Sequence, residues 1–288
     1  MFVGDGYRFG VLLLASIPSP PINDIQIGPL RLTFYGIFIA IGVALAWALS
    51  RRRYVAGGGD GEVVERVLLW MVILGFLGAR MAYVSTHLSN FSDSWWKVIA
   101  IWEGGLALYG GITVGALVGI FLMRRWNGDM LLLLDSAAVG VPLAQAVGRW
   151  GNYFNQELFG TPTDLPWGLE IDPARRPAAY PDAPTFHPTF LYESLWNLGL
   201  VALMLWLERR YPQVRGRLVS VYFVGYGVIR FLLELIRTDT TFRFLGMSRN
   251  GWVSIGVVLA GIVLFRVLPM ARRGPLGIGV KEAADQGA

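Results

Sequence analysis

Residues 30–49 read LRLTFYGIFIAIGVALAWAL and contain a single charged side chain, Arg31. An α-helix needs about 20 apolar residues to cross about 30 Å of hydrocarbon at about 1.5 Å per residue. The stretch is therefore long and apolar enough to predict a membrane-spanning helix.

Six further apolar blocks of similar length follow, at residues 63–86, 104–123, 130–148, 188–207, 217–236 and 251–268. The 288-residue chain is 54% hydrophobic and 16% charged, against about 25% charged in a soluble domain. These features argue against a soluble enzyme. They predict an all-α integral membrane protein with seven transmembrane helices over residues 30–270, an interfacial segment at residues 1–29 and a cytoplasmic tail at residues 271–288.

The N-terminal segment has an apolar stretch at residues 9–17 and then several prolines, without an Ala-x-Ala cleavage site. We therefore expect it to lie along the interface and not to be a removable signal peptide.

Lysine and arginine are divided unequally between the two sets of connections. Twelve follow the odd-numbered segments: Arg51, Arg52, Arg53, Arg124, Arg125, Arg209, Arg210, Arg215, Arg217, Arg272, Arg273 and Lys281. The opposite connections hold six, namely Arg8, Lys97, Arg175, Arg176, Arg243 and Arg249, with Arg31, Arg149 and Arg237 at the ends of helices. Because basic loops stay in the cytoplasm, this bias predicts an outer N-terminus and an inner C-terminus. We find no internal repeat.

The composition also excludes several kinds of chemistry. The chain has no cysteine, which excludes thiolate catalysis by the protein and cysteine-ligated metal sites. Its only histidines are His87 and His187, so we expect no metal and no cofactor. The net charge is +5, but the longest basic run is three arginines, so we expect no binding to nucleic acid.

The connection at residues 152–187 is polar and rich in proline. Loops of this length are uncommon without a function, which favours a lid or binding loop on the outer side. The alternative is a loosely ordered surface loop.

Charged residues in the apolar blocks are candidates for function, because a charge in hydrocarbon is costly unless it has a partner or a role. In the sixth block, Arg230, Glu234 and Arg237 have the spacing of one helix face, so Glu234 can pair with either arginine and leave the other for an anion. The alternative is a structural salt bridge.

The end of the fourth block continues into a second polar cluster. Arg149, Asn152, Asn155 and Glu157 concentrate hydrogen-bond donors and acceptors at the outer surface, and an arginine there suits a phosphate. An interfacial anchor formed by Arg149 with neighbouring aromatic residues is the alternative.

Two glycine pairs open the third block in the stretch WEGGLALYGG, residues 102–111. They allow a backbone or a lipid chain to approach closely, and we expect the Tyr109 hydroxyl to point between them. Glycine-based helix packing is the alternative. The fifth block opens with His187, which we interpret as a local hydrogen-bonding residue, and we expect Glu193 and Asn197 to form a buried polar pair.

Taken together, these residues resemble a known family, the prolipoprotein diacylglyceryl transferases. The pattern GRxGNxxNxExxG at residues 148–160 is similar to the family signature and is long and position-specific. The resemblance extends to Tyr35-Gly36, to Gly78-Ala79-Arg80 with Tyr83, to the glycine pairs, to HPxxLYE at residues 187–193, and to Arg230 with Glu234 and Arg237.

The resemblance implies a multi-pass enzyme of the bacterial inner membrane. Such an enzyme moves the diacylglyceryl group of phosphatidylglycerol onto the lipobox cysteine thiol in a preprolipoprotein signal peptide, and releases glycerol 1-phosphate. The implied partners are therefore these two substrates and the lipid bilayer. The lipid tails need an apolar cavity, for which we expect the glycines of segments three and four to leave room.

We assign catalytic roles to Arg149, Arg230 and Tyr109, with the two arginines neutralising charge on the leaving phosphate. The resemblance implies substrate binding by twelve further residues: Tyr35, Arg80, Gly104, Gly105, Asn152, Asn155, Glu157, Gly160, His187, Glu193, Glu234 and Arg237.

Tyr109 departs from the family pattern, since many members have a histidine at this position that is assigned as the base for the thiol. A phenol is a poor base at neutral pH, so three hypotheses remain open. Tyr109 acts as a tyrosinate-like base beside an arginine, it hydrogen-bonds the phosphate, or the thiol needs no base because a positive site lowers its pKa.

Two other classes compete with the transferase. An anion carrier or channel would use Arg230 and Arg237 for selectivity, and it predicts repeat symmetry and broken helices. A catalytically silent scaffold is the third hypothesis, and the substitution at Tyr109 is its only support.

Overall fold

The computed structural model describes residues 16–28, 30–92, 94–100, 104–238, 243–271 and 274–276. Each of the seven predicted apolar blocks forms one α-helix, with bounds that differ from the predicted ones by up to seven residues. The helices are α1 (Phe34–Ala56), α2 (Gly61–Thr86), α3 (Leu108–Arg125), α4 (Met130–Asn155), α5 (Thr189–Arg210), α6 (Leu218–Glu234) and α7 (Arg249–Val267).

Six of these helices, all except α6, are long and apolar enough to cross a membrane. Helix α6 has 17 residues and is shorter than the predicted block at residues 217–236. The predicted class is confirmed: the chain is an all-α, multi-pass membrane protein. Short antiparallel hairpins, which the apolar pattern did not predict, accompany the helices in the described residues: β1 (Asp24–Ile27) with β2 (Leu30–Thr33), β3 (Leu169–Glu170) with β4 (Thr185–Phe186), and β5 (Arg243–Phe244) with β6 (Met247–Ser248).

The described parts of Met1–Leu45, Val141–Leu203 and Ser220–Arg266 form one compact unit. Glycines bring α1 and α4 into close contact within it. A Cβ on Gly42 would lie 2.8 Å from the Ala144 carbonyl oxygen, and one on Gly151 would lie 2.7 Å from Tyr35 Cδ2. The glycines of segment four also face α1: a Cβ on Gly140 would lie 2.9 Å from Ala46 O, and one on Gly148 would lie 3.3 Å from Ile39 Cδ1. The expectation that they leave room for lipid tails is therefore wrong, because α1 fills that space.

The long connection between α4 and α5 begins later than predicted, since α4 continues to Asn155. It has a small core of its own, in which Phe159, Leu169, Ile171 and Phe186 pack with Phe190 of α5. An ordered core of this kind does not fit the alternative of a loosely ordered surface loop.

The N-terminal segment is attached to this connection by backbone hydrogen bonds. Ile17 N donates to Gly168 O at 2.8 Å, and Glu170 N donates to Ile17 O at 2.8 Å. Residue 17 thus extends the β3–β4 hairpin on its free edge. Most of the predicted interfacial segment, residues 1–15 and 29, lies outside the described residues, as do residues 272–273 and 277–288 of the predicted tail.

The described parts of Ala46–Gly140, Met204–Val219 and Val267–Ala288 form the other compact unit. Asp60 caps α2, because its Oδ1 accepts hydrogen bonds from Glu62 N at 2.8 Å and Val63 N at 3.3 Å. A fully buried ion pair connects α1 and α5, with Arg53 Nη2 at 3.1 Å from Glu208 Oε1.

Candidate active site

A small pocket in the first unit brings together predicted site residues from three helices and the connection between α4 and α5. Nine residues line it: Arg149, Asn152, Leu158, Thr189, Phe190, Glu193, Arg230, Leu233 and Arg237. Its free volume is about 10 Å³, close to the space of one water molecule. Three of the lining side chains are arginines and one is a carboxylate.

Arg149 of α4 is held from several directions. Its Nη2 lies 2.6 Å from Glu193 Oε1 of α5, and its Nη1 donates to Asn152 Oδ1 at 3.2 Å. It also interacts electrostatically with the side chain of Tyr226 on α6. The guanidinium plane is thereby fixed, with one edge on a carboxylate and another on an amide.

The asparagines of the predicted cluster converge on a single carboxylate oxygen. Asn152 Nδ2 and Asn155 Nδ2 donate to Glu157 Oε1 at 2.8 Å and 3.2 Å. Leu158, the next residue, has φ 59°, a left-handed conformation that is costly for a leucine. Strain of this kind is often found at functional sites, and here it turns the chain towards the pocket.

The start of the connection is held by Gln156. Its Nε2 donates to Asp172 Oδ2 at 2.6 Å, and its Oε1 accepts from Asp172 N at 2.9 Å. Ser19 Oγ also donates to this carboxylate at 3.0 Å. These hydrogen bonds to the charged form lower the pKa of the Asp172 carboxyl group.

Arg230 of α6 pairs with Glu234, with Nη2 at 3.1 Å from Oε2. Its other terminal nitrogen, Nη1, is buried and has no hydrogen-bond partner in the described part of the chain. A buried guanidinium donor without a partner is suited to an anionic ligand.

The prediction that Arg230, Glu234 and Arg237 share one helix face is wrong for Arg237. Helix α6 ends at Glu234, and the next amides bond to carbonyls three residues back, Leu235 N to Leu232 O and Ile236 N to Leu233 O. Arg237 therefore leaves the helix axis, and it reaches the pocket from the following turn.

Gly160 lies where the connection, the start of α5 and the end of α6 meet. Gly160 N donates to His187 O at 2.9 Å, and Thr161 N donates to Ile236 O at 2.7 Å. A Cβ at Gly160 would lie 2.8 Å from the Cβ of His187 and 3.2 Å from Ile236 O. A glycine is needed here for close packing, and the predicted binding role of Gly160 stays a prediction.

Tyr35 and His187 flank the pocket residues without lining it. Tyr35 packs on Gly151 and interacts electrostatically with Glu157 and Arg149. His187 Nδ1 hydrogen-bonds Tyr192 Oη at 3.2 Å, which agrees with the interpretation of His187 as a local hydrogen-bonding residue.

The predicted pair of Glu193 with Asn197 is wrong, because Glu193 is engaged by Arg149. The Asn197 amide is fully buried and has no hydrogen-bond partner in the described residues. Tyr226, which lies four residues before Arg230, was not among the predicted site residues. That spacing, together with the scarcity of polar residues in α6, was a usable signal.

Arg80 lies in the other compact unit, where its guanidinium hydrogen-bonds backbone carbonyl oxygens. Its guanidinium donates to the carbonyl oxygens of Val98 at 2.9 Å, Gly104 at 2.5 Å and Gly105 at 2.9 Å, and also to Lys97 O. Gly104 and Gly105 have φ of 85° and 71°, which explains glycine at both positions. These contacts support a positioning role for Arg80. Trp102 and Glu103 lie outside the described residues.

Tyr109 is 66% exposed, and the predicted direction of its hydroxyl stays a prediction. Gly110 and Gly111 pack on α2, where a Cβ on Gly110 would lie 2.6 Å from Gly78 O. The glycines of α3 therefore serve helix packing and leave no room for a lipid tail, because α2 occupies that face.

Known proteins are similar in sequence to this chain over most of its length. A protein from Streptomyces coelicolor named phosphatidylglycerol–prolipoprotein diacylglyceryl transferase 2 is 43% identical over 279 residues, which is 96% of this chain and 86% of the relative. Proteins of the same name, without the numeral, from Streptomyces griseus and Cutibacterium acnes are 40% and 41% identical, over 91% and 90% of this chain and 80% and 88% of theirs.

The family model described as prolipoprotein diacylglyceryl transferase matches residues 23–267, a range that includes all seven helices and the pocket. The resemblance of the sequence motifs is thus confirmed over nearly the whole chain. The chain belongs to the prolipoprotein diacylglyceryl transferase family.

Proposed function

We propose that the protein transfers the diacylglyceryl group of phosphatidylglycerol to the lipobox cysteine of preprolipoproteins, the first step of bacterial lipoprotein maturation. Membership of the family and the names of the relatives support this activity. The observation that carries it is the pocket in which Arg149 and Arg230, from different helices, present guanidinium groups to one small space.

The reaction forms a bond between the cysteine sulfur and a glycerol carbon, and it breaks the bond between that carbon and a phosphate oxygen. The electron pair of the broken bond leaves with glycerol 1-phosphate, and the thiol loses its proton. The nucleophile belongs to the substrate, so a chain without cysteine is suited to the task. Negative charge grows on the leaving phosphate, where fixed cations stabilise the transition state.

The two arginines have complementary parts in this scheme. Arg149 is oriented by Glu193 and Asn152, which leaves its position well defined before a ligand arrives. Arg230 contributes the buried Nη1 donor that has no partner among the described residues, and a phosphate oxygen would satisfy it. Asn152, Asn155 and Glu157 are proposed to orient the glycerol headgroup. Because the free volume is about 10 Å³, the lining must open to admit it.

We further propose that α6 is the seventh membrane crossing and that the N-terminus faces outward in the bacterial inner membrane. The bias of lysine and arginine supports this orientation. The pocket residues Arg149 and Arg230 lie towards the ends of α4 and α6 that this orientation assigns to the outer leaflet. Residues 30–270 then form the transmembrane domain, with an interfacial segment before them and a cytoplasmic tail after them.

An anion carrier explains the structure less well. That alternative predicts helices that are broken near the membrane centre, whereas the seven described helices each run without interruption. Neighbouring helices also occupy the space beside the glycines of α3 and α4.

The test uses purified protein in detergent with phosphatidylglycerol and a synthetic lipobox peptide. Mass spectrometry should detect a diacylglyceryl adduct on the cysteine together with released glycerol phosphate. Arg149→Ala and Arg230→Gln should each reduce adduct formation by about 100-fold or more, the usual effect of removing a donor to developing charge. Arg124→Ala, an exposed arginine of α3, is the matched control and should be unchanged. Folded protein that makes no adduct would contradict the proposal and favour the anion carrier.

A further inference from the structure

A second polar layer lies one helical turn from the arginine pocket, further from the ends of the helices, and the reaction described above does not use it. It consists of Gln145 on α4, Asn197 on α5 and Tyr222 on α6. Each lies four residues along its helix from a residue of the arginine layer, namely Arg149, Glu193 and Tyr226. Four residues correspond to about 6 Å along a helix axis.

Contacts between the helices place the three side chains at one level. Arg149 contacts Glu193, and Ser194 Oγ donates to Ala146 O at 2.8 Å, so α4 and α5 run antiparallel with a register that sets Gln145 level with Asn197. On α6, Tyr226 interacts electrostatically with Arg149, and one turn away Tyr222 lies beside Gln145.

The layer contains hydrogen-bonding atoms that nothing in the described chain satisfies. Asn197 is 0% exposed, and neither its Nδ2 nor its Oδ1 has a partner. Gln145 Oε1 is likewise buried without a partner. Buried polar groups are nearly always paired, and unpaired ones in a membrane protein are especially costly. Among these atoms Asn197 Nδ2 is the donor, and it is suited to an acceptor oxygen on a bound molecule.

The chemistry of the layer indicates a neutral ligand. All three side chains are uncharged, whereas the adjacent layer is charged. In a phospholipid, the two acyl ester groups lie beside the phosphate on the apolar side, within a few ångströms of it. A phosphate bound at Arg149 and Arg230 would therefore bring an ester carbonyl oxygen to the level of Asn197.

We propose that this layer recognises the ester groups of the diacylglyceryl substrate, with Asn197 Nδ2 donating to an acyl carbonyl oxygen. The inference rests on the proposed function and makes Asn197 a specificity-determining residue for ester-linked lipids. An ether-linked lipid has no carbonyl oxygen, so it would leave the Asn197 amide unpaired. Sites built to hydrogen-bond a substrate group discriminate against analogues that lack it.

The experiment compares two phosphatidylglycerols with chains of equal length, one with ester and one with ether linkages, in mixed micelles with the lipobox peptide. The wild-type kcat/KM should be about fivefold higher for the ester lipid, as expected for one neutral hydrogen bond. Asn197→Leu and Asn197→Ala both remove the hydrogen-bond donor, and each should lower the ester rate to that of the ether lipid.

Ser194→Ala is the matched control, because Ser194 is a buried polar neighbour on α5 whose hydroxyl already donates a hydrogen bond to Ala146 O. This variant should keep the preference for ester lipid. A further measurement needs no variant: the infrared band of phosphatidylglycerol labelled with carbon-13 at its ester carbonyls should shift to lower frequency when the lipid binds the wild-type protein.

Equal use of ester and ether lipids by the wild type would overturn the inference and assign the layer to buried water, while the transferase activity would stand. A preference that survives in both Asn197 variants, or an unshifted carbonyl band, would also overturn it. If neither the ester lipid nor the ether lipid gave product, the proposed function itself would be contradicted.

Discussion

Arg149 Nη2 lies 2.6 Å from Glu193 Oε1, and this contact joins α4 to α5 at the pocket. The Glu193 side chain is 4% exposed and that of Arg149 is 21% exposed, so the contact is only slightly screened by solvent. The carboxylate orients the guanidinium, whose other terminal nitrogen, Nη1, donates to Asn152 Oδ1. Orientation of a cation before the substrate arrives is the feature that electrostatic catalysis requires.

Glu193→Gln should lower kcat by about tenfold or more, because a neutral amide orients the arginine less strongly than a charge-assisted pair does. Arg149→Lys should lower it further, since an ammonium group cannot reproduce the planar fork that contacts both Glu193 and Asn152. Initial rates with the peptide and lipid assay measure both effects. Full activity in Glu193→Gln would show that the carboxylate has no orienting role.

Gly160→Ala should destabilise the protein by about 1 to 3 kcal/mol, because the added Cβ would lie 2.8 Å from His187 Cβ and 3.2 Å from Ile236 O. A thermal unfolding scan in detergent measures the change. Gly199→Ala is the control, since nothing lies within 4 Å of a Cβ there and an alanine favours the helix. Equal melting temperatures for the two variants would contradict the close packing at Gly160.

Tyr109→Phe should retain measurable activity. The side chain is 66% exposed, and the hydroxyl makes no hydrogen bond within the described residues, so its loss breaks no contact in the free protein. Rates of adduct formation at neutral pH test this. A variant that is folded but inactive would restore the hypothesis that the phenol acts as the base.

Arg80→Met should lower the melting temperature and leave the KM for phosphatidylglycerol within about twofold of the wild type. The arginine is buried and its donors are directed at backbone carbonyl oxygens, which would lose their partners. Unfolding scans and kinetics on the same preparation separate the two effects. A KM that rises tenfold without a loss of stability would instead support direct substrate binding by Arg80.

Glu208→Gln should destabilise the protein by about 3 kcal/mol or more, because it leaves the fully buried Arg53 charge without its carboxylate. Glu62→Gln is the matched control: its partner Arg66 and the carboxylate are both exposed, so the loss should be about 0.5 kcal/mol or less. Chemical unfolding in detergent compares the two. Similar losses would show that burial of the Arg53 pair is unimportant.

Much of the helical architecture was predictable from the sequence, because apolar blocks of membrane length and basic loops are local properties. The signature at residues 148–160 likewise identified Arg149, Asn152 and Glu157 as a cluster, since they are close in the chain. The errors concern side-chain direction. Asn197 has the spacing of a partner for Glu193, but a stronger partner on α4 takes that carboxylate.

The sequence by itself determined that the protein is a membrane-spanning helical enzyme of a known family, because hydrophobic length and motif chemistry are written along the chain. Only the tertiary structure decided that α6 ends before Arg237 and that Arg80 hydrogen-bonds backbone carbonyl oxygens. It also decided that neighbouring helices occupy the space beside the glycines. It also revealed the unpaired amide of Asn197. The reason is physical: helical spacing defines a face, whereas the partner on that face comes from residues that are distant in sequence.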